Sequence, residues 1–285
     1  MKECTIINGR QLAARIRTDV QRRVITLSGI GRQTRLDAVL VDGDEAGALY
    51  ASRQASTCAK VGIEYRLHRL DTDATFDDIA GRVLLLNQDD LVSAVMVHLP
   101  LPEAVDTERI QSLIDPEKDI EGVNPANIGR VVYGRRSLVP CTALAVLHMI
   151  ESTGVELRGK RCVCVGASNI VGKPVAILLM QAEATVVSTN KFTPDLAAEC
   201  RSADVLVSAT GVPGLITGDM IKPGAIVIDV GISRIHDSDG EVRTVGDVNF
   251  DQATKVAGYL SPVPGGVGPV TVAILLLNAV AAAEV

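Results

Sequence analysis

The stretch "VCVGASNIVGKP", residues 163–174, decides the fold. Its first part is an apolar run that stops at Gly166, and a helical pattern opens at Gly172. Gly166 lets the chain turn tightly where a strand ends, and Gly172 gives close packing or backbone access one turn into the helix. Pro174 falls where a helix start needs no backbone donor. The N–H groups at such a start converge on an anion, and in dinucleotide-binding folds that anion is a pyrophosphate. The spacing is G-x-S-x-x-x-G-x-P rather than G-x-G-x-x-G, so an ordinary strand-to-helix turn would use the same glycines.

The next strand argues for a cofactor. About 20 residues after the first glycine, an NAD site ends its second strand in a carboxylate for the ribose hydroxyls. Here "ATVVST" runs into Asn190 and Lys191. A carboxylate would repel a 2′-phosphate and Lys191 would attract one, which favours NADP over NAD. Taken alone, Lys191 reads equally well as a solvated loop lysine.

Further out, "KRCVCVGAS", "ATVVSTN", "ADVLVSATG" and "AIVIDVGI" are apolar segments separated by helical connections. "RLDAVLVDGD" and "SAVMVHLPLP" read as strands of the first half, with helices around 50–62 and 76–89. This is βαβ organisation with parallel sheets. "TALAVLHMIEST" and the closing "VTVAILLLNAVAAAEV" read as helices. "DPEKDIEGVNPANIGR" is polar and turn-rich, a domain junction. The expected fold is α/β with two α/β domains and a cleft between them, the second Rossmann-type. The expected boundaries are 1–122 and 123–285, with the C-terminal helix (about 270–285) packing back on the first domain.

Composition agrees. The chain of 285 residues is 47% hydrophobic and 22% charged, and this apolar content is aliphatic, with no Trp, 4 Tyr and 3 Phe. Such aliphatic excess suits a sheet covered by helices on both faces. A net charge of −6 and scarce aromatics argue against nucleic acid as a partner. No apolar run reads as a membrane span or a signal h-region, so a cytoplasmic protein with no membrane partner is expected. Cys4, Cys58, Cys141, Cys162, Cys164 and Cys200 form no CxxC, so reduced core thiols are expected and no metal site.

"KDIEGVNPANIGR", "VPCTA", "VGASNIVGKPVA", "GAIVIDVGI" and above all "PVPGGVGPVTVA" resemble the bifunctional methylenetetrahydrofolate dehydrogenase/methenyltetrahydrofolate cyclohydrolase family. The resemblance covers nearly the whole chain. It implies a cytoplasmic homodimer acting on tetrahydrofolate C1 derivatives. The first activity oxidises 5,10-methylenetetrahydrofolate to 5,10-methenyltetrahydrofolate with NADP; the second hydrolyses the product to 10-formyltetrahydrofolate. By position it implies that Gly166, Ala167 and Ser168 contact the cofactor phosphates and that Ile232 lies on the nicotinamide side. Pro262, Gly265 and Gly266 would line the cleft near the folate, with Tyr50 and Glu121 also on the substrate.

The departures cluster on the folate side. Where the family reads Y-x-x-x-K, "GALYASRQAS" (47–56) has Tyr50 and Gln54. Glu45 and Gly47 replace a proline and a serine, His98 a glutamine, Glu121 an aspartate and Ala143 a proline. Hydride loss from the methylene carbon moves no proton and needs alignment. Hydrolysis needs a titrating group to move protons, which glutamine cannot supply. The expected function is therefore an NADP-dependent methylenetetrahydrofolate dehydrogenase with cyclohydrolase activity lost or much weakened. Candidate catalytic residues are Tyr50, Gln54 and His98. The alternatives are a modified folate or other C1 substrate, bifunctionality carried by His98, and a noncatalytic folate- or NADP-binding paralogue. The simpler reading of His98 is a space-filler hydrogen-bonded to Tyr50 or Gln54.

Overall fold

In the computed structural model, which describes residues 3–43, 45–135, 138–236 and 240–285 apart from the side chains of 45, 46 and 236, strands and helices alternate. The chain runs β1 (Thr5–Ile6), α1 (Gly9–Gly29), β2 (Arg35–Val41), α2 (Glu45–Val61), β3 (Glu64–Leu70), α3 (Phe76–Gln88), β4 (Ala94–Val97), α4 (Thr107–Leu113) and α5 (Pro125–Val132). It continues α6 (Cys141–Glu151), β5 (Arg161–Val165), α7 (Gly172–Gln181), β6 (Thr185–Thr189), α8 (Leu196–Arg201), β7 (Val205–Ser208) and β8 (Ile226–Asp229). It ends β9 (Ser233–His236), β10 (Val242–Val245), α9 (Phe250–Ala253), β11 (Tyr259–Leu260) and α10 (Val267–Ala283).

Two compact units divide the chain. One comprises Arg15–Cys141 with Leu275–Val285, the other Met1–Ala14 with Thr142–Ile274. By compactness the chain passes between the units at 14/15, 141/142 and 274/275. The polar stretch after residue 115 is no linker: Val95 and Asp119 form a parallel bridge, and Asn124 caps α5 through the Ala126 N–H. Buried Asp119 accepts from the Gly122 and Asn124 N–H groups and from Asn127 Nδ2, tying the segment into its own unit. Asn278 on α10 donates to the carbonyls of Ile120 and Val139, which groups the end of that helix with the same unit.

The first of these units is built on a parallel sheet, order β3-β2-β4. All seven residues of β2 are buried, as a central strand covered on both faces requires. α3 begins with a capping box, the Thr75 hydroxyl accepting from the Asp78 N–H and the Asp78 carboxylate accepting from the Thr75 N–H. Its buried face, Ile79, Val83 and Leu86, packs with Val39, Val95 and Ile110. The sequence reading passed over β3, "EYRLHRL", because an edge strand carries polar side chains and lacks the apolar run that marks a central one.

The other unit holds a six-stranded sheet in the order β1-β11-β8-β7-β5-β6, with every pairing parallel. The four apolar segments of the sequence are β5, β6, β7 and β8. The two-residue strands β1 and β11 and the antiparallel hairpin β9–β10 were too short or too polar to read. All six cysteines are free thiols. Among the described residues no helix is long and apolar enough to cross a membrane.

Candidate active site

In the six-stranded unit the β5-to-α7 turn is shaped by backbone. Gly166 has φ +102°, and a Cβ there would lie 2.4 Å from the Ala209 carbonyl oxygen; a Cβ on Gly172 would lie 2.0 Å from the Gly166 carbonyl oxygen. Three stretches of main chain therefore meet where only glycine fits. Ser168 Oγ accepts from the Gly172 N–H, closing the turn onto the helix start. Lys191 is exposed just past β6, the strand beside β5, with its Nζ 5.0 Å from the Phe192 ring centroid. The end of β5 thus carries a helix-start turn whose N–H groups could hold an anion, and the end of β6 an exposed cation. Ile232 follows β8 and is exposed. Pro262, Gly265 and Gly266 belong to this same unit, and a Cβ on Gly9 would meet the Gly266 carbonyl oxygen at 1.9 Å.

In the three-stranded unit a cavity of about 350 Å³ is lined by Gly47, Tyr50, Met96, Val97, His98, Leu99 and Glu121. Tyr50 and His98 meet edge-on, ring centroids 5.7 Å apart at 81°. His98 is 3% exposed, and burial holds its imidazole below the usual histidine range. Its Nε2 is 3.0 Å from the Tyr65 hydroxyl. The expected bond from His98 to Tyr50 or Gln54 is replaced by this one. Tyr65 on β3 went unremarked in the sequence because its strand did.

Gln54 sits one turn from Tyr50 on α2, yet it is not among the residues lining that cavity. It is 5% exposed, its Nε2 donates to Met96 Sδ at 3.0 Å, and its Oε1 is buried without a partner among the described residues. Glu121 is the acid of the cavity. Its carboxylate accepts from the Val97 N–H, but burial, reinforced by Asp119, pushes it up to about 7. Desolvation raises Tyr50 as well, with Glu121 adding to it. Of the cavity's groups, Glu121 therefore titrates near neutrality, while burial favours the neutral imidazole of His98. The Glu45 side chain lies outside the described residues.

Family models match in two blocks: the catalytic domain of tetrahydrofolate dehydrogenase/cyclohydrolase over residues 7–121, and its NAD(P)-binding domain over residues 140–285. The chain belongs to the tetrahydrofolate dehydrogenase/cyclohydrolase family. It is 44% identical over 279 residues to the bifunctional protein FolD of Moorella thermoacetica, covering 98% of each chain. The structure superposes on the Campylobacter jejuni bifunctional FolD with a TM-score of 0.94 at 37% identity, covering 99% of each chain. It superposes on the Trypanosoma brucei dehydrogenase-cyclohydrolase, solved with NADP and an inhibitor, with a TM-score of 0.92 at 38% identity, covering 100% of this chain and 98% of that one. The first block ends at residue 121 and the second begins at 140, so residues 122–139 lie between them.

Proposed function

We propose that this chain oxidises 5,10-methylenetetrahydrofolate to 5,10-methenyltetrahydrofolate with NADP, and hydrolyses the product only weakly. The supporting observation is Gln54: at the family's lysine position stands an amide that cannot titrate, turned onto Met96 Sδ and off the cavity wall. Bound NADP supplies the hydride acceptor. The cofactor's phosphates lie at the Gly166–Ser168 turn, which close main-chain packing shapes, and Lys191 offers the cation for the 2′-phosphate. Ile232 is the nicotinamide-side residue. On the folate side, Glu121 holds the pterin's amidine edge and Tyr50 orients the ring. These groups align the methylene carbon, which is what hydride transfer requires. Water addition and collapse of the adduct require proton movement, and its loss costs about 10²–10⁴-fold in rate. The family also suggests a cytoplasmic homodimer.

A second reading rests on His98. It lines the cavity, it titrates, and the Tyr65 hydroxyl fixes its ring. If His98 carries the proton, hydrolysis survives. A spectrophotometric assay with methylenetetrahydrofolate separates the two, following reduced nicotinamide and methenyl product independently, with NADP and then NAD. The expected result is methenyl accumulating in step with NADPH. NADPH without methenyl build-up would move the proton to His98, and no turnover with either cofactor would sink the dehydrogenase reading.

A further inference from the structure

Asp229 and Asp247 are acids buried in the six-stranded unit, 3% and 0% exposed. Neutral donors hold them. Asp229 Oδ1 accepts from the N–H groups of Gly231 and Asp247, each at 3.0 Å, and Oδ2 accepts from the Val248 N–H at 2.9 Å. Asp247 Oδ2 accepts from Ser208 Oγ at 2.9 Å and from the Thr210 N–H at 2.7 Å, while its Oδ1 is buried without a partner among the described residues. The two carboxylates also interlock. A Cβ on Gly231 would lie 2.0 Å from Asp247 Oδ1, and one on Gly246 would lie 1.9 Å from Asp229 Oδ2.

The segments held this way are the chain just past β7, the chain just past β8, and residues 246–248. The Asp229 N–H reaches a fourth, donating to Ser261 Oγ at 2.7 Å. All four lie at or next to the carboxyl ends of the parallel strands, where open α/β sheets bind their ligands. The strand order fixes which half of a dinucleotide these loops meet. The pyrophosphate turn follows β5 and the adenosine-side Lys191 follows β6, so the other half of the cofactor must extend over β7 and β8.

We infer that Asp229 and Asp247 form a clasp that positions the loops after β7 and β8 for the nicotinamide half of the cofactor. The clasp rests on the NADP reading above. It touches no reacting atom; these are positioning residues, acting through the main chain of residues 208–211 and 230–232. A buried carboxylate suits the Asp229 position because both of its oxygens accept N–H donors, which an amide in the same space cannot match.

The test compares binding of NADP and of 2′-phospho-ADP-ribose, which lacks the nicotinamide, with steady-state kinetics and Tm on the same variants. Asp229→Asn must set an NH₂ against an N–H. It should lower kcat by about tenfold or more, as misplacement by a fraction of an ångström does, and weaken NADP while leaving 2′-phospho-ADP-ribose within about threefold. Asp247→Ala should behave alike. Asp247→Asn should recover most of that loss, because one amide oxygen can still accept from both Ser208 and Thr210. Ser208→Ala removes a single donor and keeps the question answerable should an Asp variant fail to fold; it should lower kcat by about threefold, with 2′-phospho-ADP-ribose unaffected. Equal losses for both ligands together with a fall in Tm would reduce the pair to a structural role and overturn the clasp. So would unchanged kcat in Asp229→Asn and Ser208→Ala. Failure of the wild-type protein to bind either ligand would instead sink the NADP reading, and the clasp with it.

Discussion

The six-stranded unit and the three-stranded unit hold their candidate sites by different means. In the first, the β5-to-α7 turn is main chain packed on main chain: Gly166 against Ala209, Gly172 against Gly166. In the second, the cavity is walled by side chains from separate elements, Tyr50 from α2, His98 from the end of β4 and Glu121 from the segment after α4. A turn of the first kind accepts no side chain at Gly166 or Gly172 without strain. A wall of the second kind can be re-equipped one residue at a time while the cavity persists. Gln54, His98 and Glu121 stand where the family resemblance implies a lysine, a glutamine and an aspartate.

The sharpest way to break this contrast is Gln54→Lys. Restoring the titrating group should raise methenyl hydrolysis by about 10²–10⁴-fold with hydride transfer retained. A stopped assay for 10-formyltetrahydrofolate reads it. No gain would mean that His98 and Glu121 have rebuilt the wall so far that one lysine no longer suffices.

Gly166→Val attacks the other side. A Cβ 2.4 Å from the Ala209 oxygen, at φ +102°, strains the turn, and NADP affinity should fall by about 100-fold with the fold preserved by circular dichroism. Calorimetric titration that finds the affinity intact would show that the phosphates are held elsewhere.

Lys191→Ala should shrink the preference for NADP over NAD by about tenfold, the worth of one charge-assisted contact to a phosphate. An unchanged ratio would return Lys191 to the solvated loop lysine it resembles in sequence.

The smallest effect is on stability against pH. Glu121 is pushed up to about 7 by burial, so its proton is bound more tightly in the folded chain than in the unfolded one. That contribution is complete below the ordinary carboxyl range and is lost as pH rises through about 7. Glu121→Gln should therefore gain a few °C in Tm over wild type between pH 5 and pH 8. Asp229, pushed up to about 6 by burial, keeps a residual slope of the same sign in the variant. Parallel Tm curves for the two proteins would mean that Glu121 is as solvated in the fold as out of it.

Much of this was written in the sequence by itself. Apolar strands β2, β4, β5, β6, β7 and β8 announced parallel sheets, because a strand buried on both faces must be apolar along its length. Gly166 and Gly172 announced the turn between β5 and α7, since close backbone packing leaves room for no other residue. The placing of Tyr50 and Gln54 one turn apart on a helix was legible too, because residues four apart on a helix are neighbours. What only the tertiary structure decided were contacts between residues far apart in the chain. Tyr65, on an edge strand too polar to be read, takes the hydrogen bond of His98. Gln54 turns to Met96, and Asp229 and Asp247 interlock across 18 residues through glycines whose reason is invisible until the carboxylates lie against them. Local patterns carry local rules of burial and backbone space. Which side chain meets which across a sheet depends on register and packing, which no short stretch of sequence contains.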